Sequence, residues 1–458
     1  MQRLKISDNK RFLVKEDGSP FFYLGDTAWE IFHRLDEAQA QQYLCNRAGK
    51  GFNVIQSVIL AEIDGIGTTN PYGHLPLTDR DPEKPNEEYF KHVDYVIDLA
   101  NSLGLYMAVL PTWASNVWAP QGEGKLIFGD SKSRVIFNEK NARIYGEYLG
   151  KRYRDKGLIW ILGGDRPGDG VEKVWKAMAE GLKAGDGGSH LISFHPYGGR
   201  SSAEWFHDAD WLDFNMIQSG HSRKYNANYL MIQQDYRRSP IKPVMDAEPC
   251  YEDLPMAFEP KNGRFNDYDC RVAAYWGVFS GGCGHTYGCN NIWQMWEPNR
   301  QPLAYAHLSW QDSMNLPGSF QMRHLKNLME SRPYLTRIPD PAIVYDNNNP
   351  RNHGSDYQLA TRDGSPGKND ATYLMVYRPI INWISVDTAC IAGPKLRAWW
   401  YDPKTGTAYP SPIFDNPKKK FGGLWHWMPW RLGTDQIDWV LVVDDAEKNY
   451  PPPGEGLK

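Results

Sequence analysis

Between residues 21 and 331 the chain repeats one pattern eight times: a short apolar run with a polar or glycine-rich end, then a stretch of helical spacing. The runs fall at 21–24, 52–60, 105–110, 158–162, 190–196, 214–221, 243–248 and 282–287. The helical stretches fall at 36–48, 87–103, 138–156, 171–184, 203–206, 226–237, 267–279 and 320–331. Asp36 stands where a cap belongs, and glycines such as Gly104 and Gly157 stand where helices stop. Runs this apolar read as strands buried on both faces, as in a parallel sheet. Eight of them alternating with helices over ~330 residues is the pattern of a (β/α)8 barrel. An open doubly wound sheet competes, but it carries a phosphate-binding turn after its first strand. Gly25-Asp26-Thr27 is no such turn. The expected fold class is therefore α/β, a (β/α)8 TIM barrel over 1–339 that opens with a short hairpin turning at Asp17-Gly18.

After Pro339 the helical spacing stops. Short β-like runs appear at 373–377, 383–386, 396–401 and 438–443, and Asp402-Pro403-Lys404-Thr405-Gly406 is turn chemistry between two of them. This predicts a small antiparallel β-sandwich over 340–458, joined through Asp340-Pro341.

Composition narrows the function. A formal charge of −4 with no basic cluster argues against nucleic acid, and Lys418-Lys419-Lys420 reads as a solvated turn. No run is long enough to cross a membrane. Six cysteines without a CxxC pair exclude a small disulfide scaffold; Cys283 and Cys289 are left as either a bridge or free thiols. Residues 1–6 lack the apolar segment of a secretory signal, so either the chain is cytoplasmic or a leader has been removed. Aromatic residues make up 13%, with 18 Trp and 26 Tyr, more than a core needs and in keeping with surfaces that stack on sugars.

In a barrel the C-terminal strand ends converge on one mouth. Here they carry Asp26 and Trp29, Glu62, Thr112 and Trp113, Asp165 and Arg166, His195 and Tyr197, Gln218 and His221, Asp246 and Glu248, and His285 and Tyr287. Asp165 follows the fourth strand and Glu248 the seventh, positions that face each other across the mouth. Glycoside hydrolysis needs two carboxyl groups flanking the bond, about 5–5.5 Å apart in a retaining enzyme. Asp165 is expected as the acid/base and Glu248 as the nucleophile. The substrate-binding set expected around them is Asp26, Trp29, Trp113, Arg166, His195, Tyr197, Gln218, His221, Asp246, His285, Tyr287 and Trp293. Each has a plainer reading: Asp26 as an anchor of the first loop, the histidines as core residues, Trp113, Trp293 and Trp296 as packing. His285 is favoured for binding because Gly284 and Gly288 flank it. Metal-dependent hydrolases gather several histidines, often a His-x-His on the first strand. Here they come singly from different strands, so no metal and no cofactor is expected.

Several of these segments together resemble the motifs of apiosidase-like glycosidases: Phe21-Phe22-Tyr23-Leu24-Gly25-Asp26-Thr27-Ala28-Trp29, Gly51-Phe52-Asn53-Val54-Ile55-Gln56, Ile159-Trp160-Ile161-Leu162-Gly163-Gly164-Asp165 and Gly284-His285-Thr286-Tyr287-Gly288. That group includes glycoside hydrolase family 140, which releases apiose-linked side chains from the pectin rhamnogalacturonan II. The resemblance covers nearly the whole chain, including a C-terminal sandwich of the collagen-binding type. It implies a retaining, metal-independent glycosidase of plant-type polysaccharide, with Asp165 and Glu248 as its pair, working in the periplasm or outside the cell. The wider retaining clan carries Asn-Glu after the fourth strand; this chain has Gly164-Asp165, which fits the apiosidase-like branch alone. A non-catalytic glycan-binding or adhesion protein on a barrel scaffold is the rival reading. Protein partners are not indicated.

Overall fold

The structure, a computed structural model, describes residues 1–63, 65–118, 135–345, 354–380, 383–422 and 437–457. The N-terminal hairpin has one strand more than expected: Leu4–Ile6, Leu13–Lys15 and Pro20–Phe21 form an antiparallel sheet with Leu13 opposite Phe21. The barrel strands follow as β1 Tyr23–Thr27, β2 Val54–Leu60, β3 Tyr106–Thr112, β4 Leu158–Gly163, β5 Ile192–His195, β6 Asn215–Gln218, β7 Val244–Asp246 and β8 Gly284–Tyr287. Neighbours run parallel in the order β5-β4-β3-β2-β1-β8-β7-β6. The ring closes between β5 and β6, where Asp213 N donates to Ile192 O at 2.8 Å and Ser193 Oγ donates to Phe214 O at 2.7 Å. Every residue of β2, β3 and β4 is buried, which is why these runs show no alternation.

Helices follow the strands as the spacing requires. Asp36, Asn138 and Asn266 each cap a helix N-terminus, accepting at the side chain from the backbone N–H three places on and donating their own backbone N–H to that residue's side chain, which fixes Glu37–Gly49, Glu139–Tyr153 and Asp267–Phe279. Among the described residues no helix is long and apolar enough to cross a membrane. All six cysteines are free thiols, Cys283 and Cys289 included.

The C-terminal part is an antiparallel β-sandwich whose main sheet runs through Ile338–Pro339, Leu359–Arg362, Tyr373–Arg378, Trp439–Asp445, Lys395–Tyr401 and Ala408–Pro410 in that order. Its central strands are buried on both faces, and the two faces go to different places. Tyr373, Met375, Tyr377, Trp399, Tyr401, Val440 and Val442 join the barrel's core. Their alternate neighbours Leu374, Val376, Ala398, Trp400, Leu441 and Val443 build a second core beneath the sheet. Two buried ion pairs cross the seam. Arg271 donates from Nε and Nη2 to Asp438 at 3.1 and 2.9 Å, and Arg332 donates from Nε and Nη2 to Asp444 at 2.8 and 2.7 Å. The aromatic surplus goes largely into these interiors: Trp113, Trp160, Trp175, Trp276, Trp310 and Trp439 are wholly buried. Reading it as mainly sugar-binding surface is thereby corrected.

Candidate active site

The end of β4 turns through three consecutive residues with positive φ: Gly163 at +88°, Gly164 at +118° and Asp165 at +53°. Gly164 is needed for two reasons. Its φ disfavours any side chain, and a Cβ there would lie 2.6 Å from the Trp113 ring. Asp is one of the few other residues that enter the left-handed region, at some cost in strain. The turn is pinned by Gly164 N donating to His195 O at 2.9 Å, and Arg166 Nη1 donates to the Asp165 carbonyl at 2.8 Å. The result lifts the Asp165 carboxyl off the strand and into the mouth, where its side chain keeps 27% of its exposure.

Glu248 arrives from the other side. Beyond β7, its carbonyl accepts from Gly220 N at 3.0 Å, which ties it to the end of β6. His221 Nε2 lies 2.9 Å from Oε1, and His195 Nε2 lies 3.2 Å from Oε2. His195 Nδ1 sits 2.9 Å from Pro196 O, an acceptor only, so Nδ1 carries a hydrogen. For Nε2 to attract the carboxylate it must carry the second. Burial lowers the His195 pKa, but the Glu248 and then Asp165 carboxylates outweigh burial and hold it above its ordinary value. Burial likewise pushes Glu248 up; hydrogen bonds from His195 and His221 overcome it and hold that carboxyl far below the usual range. At Asp165 the balance is the reverse: burial first, then the Glu248 charge, outweigh the nearby His195, Arg166 and His221 charges and push it up to about 6. Two carboxyl groups in one pocket are thus driven apart, one ionised and the other able to keep its proton.

Oxygens of Asp165 and Glu248 lie within 4.8 Å of one another, and a His195 nitrogen lies within the same distance of both. These three form the one group among the described residues spaced to hold a metal ion. Two ligating carboxylates would both be ionised, so that use competes with Asp165 acting as a proton donor.

The pair opens into a cavity of about 880 Å³, lined by Trp29, Arg166, Tyr197, Gln218, His221 and Trp293 from the expected set. Sequence reasoning missed Trp118, Tyr251 and Phe258, which come from loops without a strand-end signal, and left Glu62 out of the site although it stood at a strand end. The remaining expected binding residues lie behind the wall. His195 is wholly buried and meets Glu248 from beneath. Trp113 packs edge-on against Trp29 at 5.4 Å and supports Gly164. Asp26 is buried, with Arg47 Nε and Tyr43 Oη both at 2.5 Å, so it anchors the first barrel helix. Asp246 accepts from Ser219 Oγ at 2.6 Å and Asn228 Nδ2 at 3.0 Å, and through Ser219 it steadies the turn that carries His221. Tyr287 donates to Glu252. His285 is 1% exposed, and both its ring nitrogens lack partners among the described residues. Burial alone takes its pKa down to about 3. The expectation that flanking glycines expose it is corrected: a Cβ at Gly288 would overlap the Tyr251 ring, so that glycine serves close packing.

Residues 7–336 match the family model described as "Apiosidase-like, catalytic domain", and residues 338–444 match "Putative collagen-binding domain of a collagenase". None of the curated proteins matches the chain. Among solved structures, a glycoside hydrolase family 5 protein from Bacteroides vulgatus is 33% identical, with a TM-score of 0.85, covering 98% of this chain and 95% of its own. A second, described as a glycoside hydrolase, is 35% identical at the same TM-score of 0.85, covering 98% of each chain.

Proposed function

The chain belongs to the apiosidase-like family, a group of glycoside hydrolases, and we propose that it is a retaining glycosidase of plant-type polysaccharide, with apiose-linked side chains of rhamnogalacturonan II as the first substrate to try. The observation that carries this reading is the asymmetry of the carboxyl pair. Glu248 is held ionised by two imidazoles, while Asp165, with an oxygen within 4.8 Å of it, keeps a proton up to a pH of about 6. Inverting enzymes leave about 6.5–9.5 Å between their carboxyls to admit a water. The separation here supports retention.

In the first step Asp165 gives its proton to the leaving glycosidic oxygen as Glu248 attacks the anomeric carbon, forming a glycosyl ester and releasing the alcohol. Esterification removes the Glu248 charge that had raised the Asp165 pKa, so the Asp165 carboxylate left by the first step stays ionised and is ready to take a proton from the incoming water. Water then cleaves the ester, and both groups return to their starting protonation. His195 and His221 orient the nucleophile and steady its charge between turnovers.

The test is incubation with rhamnogalacturonan II fragments and a panel of aryl glycosides, beside Asp165→Asn and Glu248→Gln. Proton NMR of the first-formed product reads the anomer. The expected result is a product of unchanged configuration, lost in both variants. Inverted product, or cleavage that neither substitution slows, overturns the assignment.

A further inference from the structure

Three buried side-chain atoms at the barrel mouth have bonds left to make. They are Asp165 Oδ1, His195 Nε2 and Glu248 Oε2, and the 3.2 Å contact of Nε2 with Oε2 is the only one among them within hydrogen-bond distance. One oxygen from each carboxyl and one nitrogen of the ring lie within 4.8 Å of one another. Both carboxyls line the cavity, so the group is open to it. The bonds around these atoms are those of ligands already oriented. His195 Nδ1 donates to Pro196 O at 2.9 Å, the bond a metal-ligating histidine usually makes with its second nitrogen, and this leaves Nε2 for an ion. His221 Nε2 holds Glu248 Oε1 at 2.9 Å, which leaves Oε2 as the open oxygen of that carboxylate.

We propose that Asp165, His195 and Glu248 bind a divalent transition metal of the zinc type, and that this ion is a reversible inhibitor of the protein, not its cofactor. The inhibition rests on the glycosidase reading; the binding does not. Zinc takes nitrogen and carboxylate oxygen at about 2.0–2.2 Å, so neighbouring ligands of a tetrahedral site stand about 3.3–3.5 Å apart. The 3.2 Å between Nε2 and Oε2 is close to that edge, with the ion taking the place of the Nε2 proton. Asp165 Oδ1, now 4.0 Å from Nδ1, has to close in by about 1 Å, and its side chain keeps 27% of its exposure and so has room to turn. Water from the cavity fills the fourth position. Two carboxylates balance the charge of one divalent ion; on the cavity wall Glu62 adds a third carboxyl and Arg166 a cation. One imidazole with two carboxylates suits zinc, whereas magnesium and calcium favour six or more oxygens. Bound there, the ion holds the lone pairs of the nucleophile and of the acid together, and neither step of the mechanism can start.

The test is a calorimetric titration of chelator-washed protein with Zn²⁺, without substrate, in a Cys45→Ser background that removes the exposed thiol. A single ion is expected to bind. Asp165→Asn and His195→Gln should each weaken it by about 100-fold or more, and His221→Gln, which frees Glu248 Oε1, by about tenfold. Mg²⁺ is expected neither to bind there nor to displace Zn²⁺. Should His195→Gln fail to fold, Asp165→Asn, on the solvent side of the group, decides the matter. On an aryl glycoside that the metal-free protein cleaves, Zn²⁺ should lower kcat/KM, rising substrate should relieve the loss, and EDTA should restore the rate in full. Failure of Zn²⁺ to bind, binding that Asp165→Asn leaves unchanged, tighter binding of Mg²⁺, turnover undiminished with the site filled, or turnover that needs the ion each overturns the proposal. Whether the metal-free protein cleaves any glycoside judges the glycosidase reading separately, and the calorimetry stands without it.

Discussion

The seam between barrel and sandwich and the mouth of the barrel both bury charged groups, and they treat them in opposite ways. At the seam Asp438 and Asp444 each receive two bonds from one arginine, and Asp438 a third from Tyr377 Oη at 3.1 Å. At the mouth Asp165 Oδ1 has no hydrogen-bond partner among the described residues. A buried ion pair with its bonds made is a structural fixture; a buried carboxyl with bonds unmade costs stability and waits for something else to complete it. The two regions therefore predict opposite signs for removing a charge.

The largest effect is expected in chemistry. Glu248→Gln and Asp165→Asn should each lower kcat/KM on aryl glycosides by about 10³-fold or more while the folded protein persists. Near-normal turnover in either would end the distinction between the two regions. Next comes the seam. Arg332→Ala leaves Asp444 buried without its partner and should destabilise the fold by about 3–5 kcal/mol in urea denaturation, with turnover per folded molecule unchanged. Gly164→Ala should be smaller, about 1–3 kcal/mol, through the clash with Trp113 and the positive φ, and should also slow turnover by displacing Asp165.

The smallest effect has the opposite sign. The folded Asp165 pKa is raised, so its contribution to stability is present below the ordinary carboxylate range and is lost as pH rises through about 6. Asparagine removes that loss and tolerates the same left-handed backbone. Asp165→Asn should gain on the order of 1 kcal/mol at pH 7, after discounting for the carboxyl's contact with solvent, and nothing below about pH 4. Thermal melts at the two pH values check it. In the wild type the same protonation should make kcat/KM fall above a pH of about 6, with the acid limb displaced far downward because Glu248 stays ionised.

Much of the architecture was legible because it depends on local pattern. Helix Asp267–Phe279 begins and ends where its spacing placed it, and the eight strands lie where the apolar runs lie. Asp165 was visible because two glycines before a carboxylate at a strand end is an uncommon arrangement, and the structure explains it as a turn of three positive-φ residues against Trp113. Asp26 stood in an equally promising place, after β1, and turned out to be the partner of Arg47. Nothing within ten residues of Asp26 marks that arginine as its partner. His285 misled for a related reason, since its glycines serve packing, Gly284 against Tyr23 and Gly288 against Tyr251, and not exposure. The alternation inside Tyr373–Arg378 was hidden because both faces are apolar, one packed on the barrel and the other on the sandwich's own core.

The sequence by itself determined the repeating β/α order, the change of texture at Pro339 and the set of polar groups delivered to one end of the barrel, because hydrophobic period and turn chemistry act over a few residues. Only the tertiary structure decided which carboxyls are spent on arginines and which are left to titrate. Hydrogen-bond partners and burial are set through space, and in this chain the imidazoles that hold Glu248 ionised come from the end of β5 and from the turn after β6.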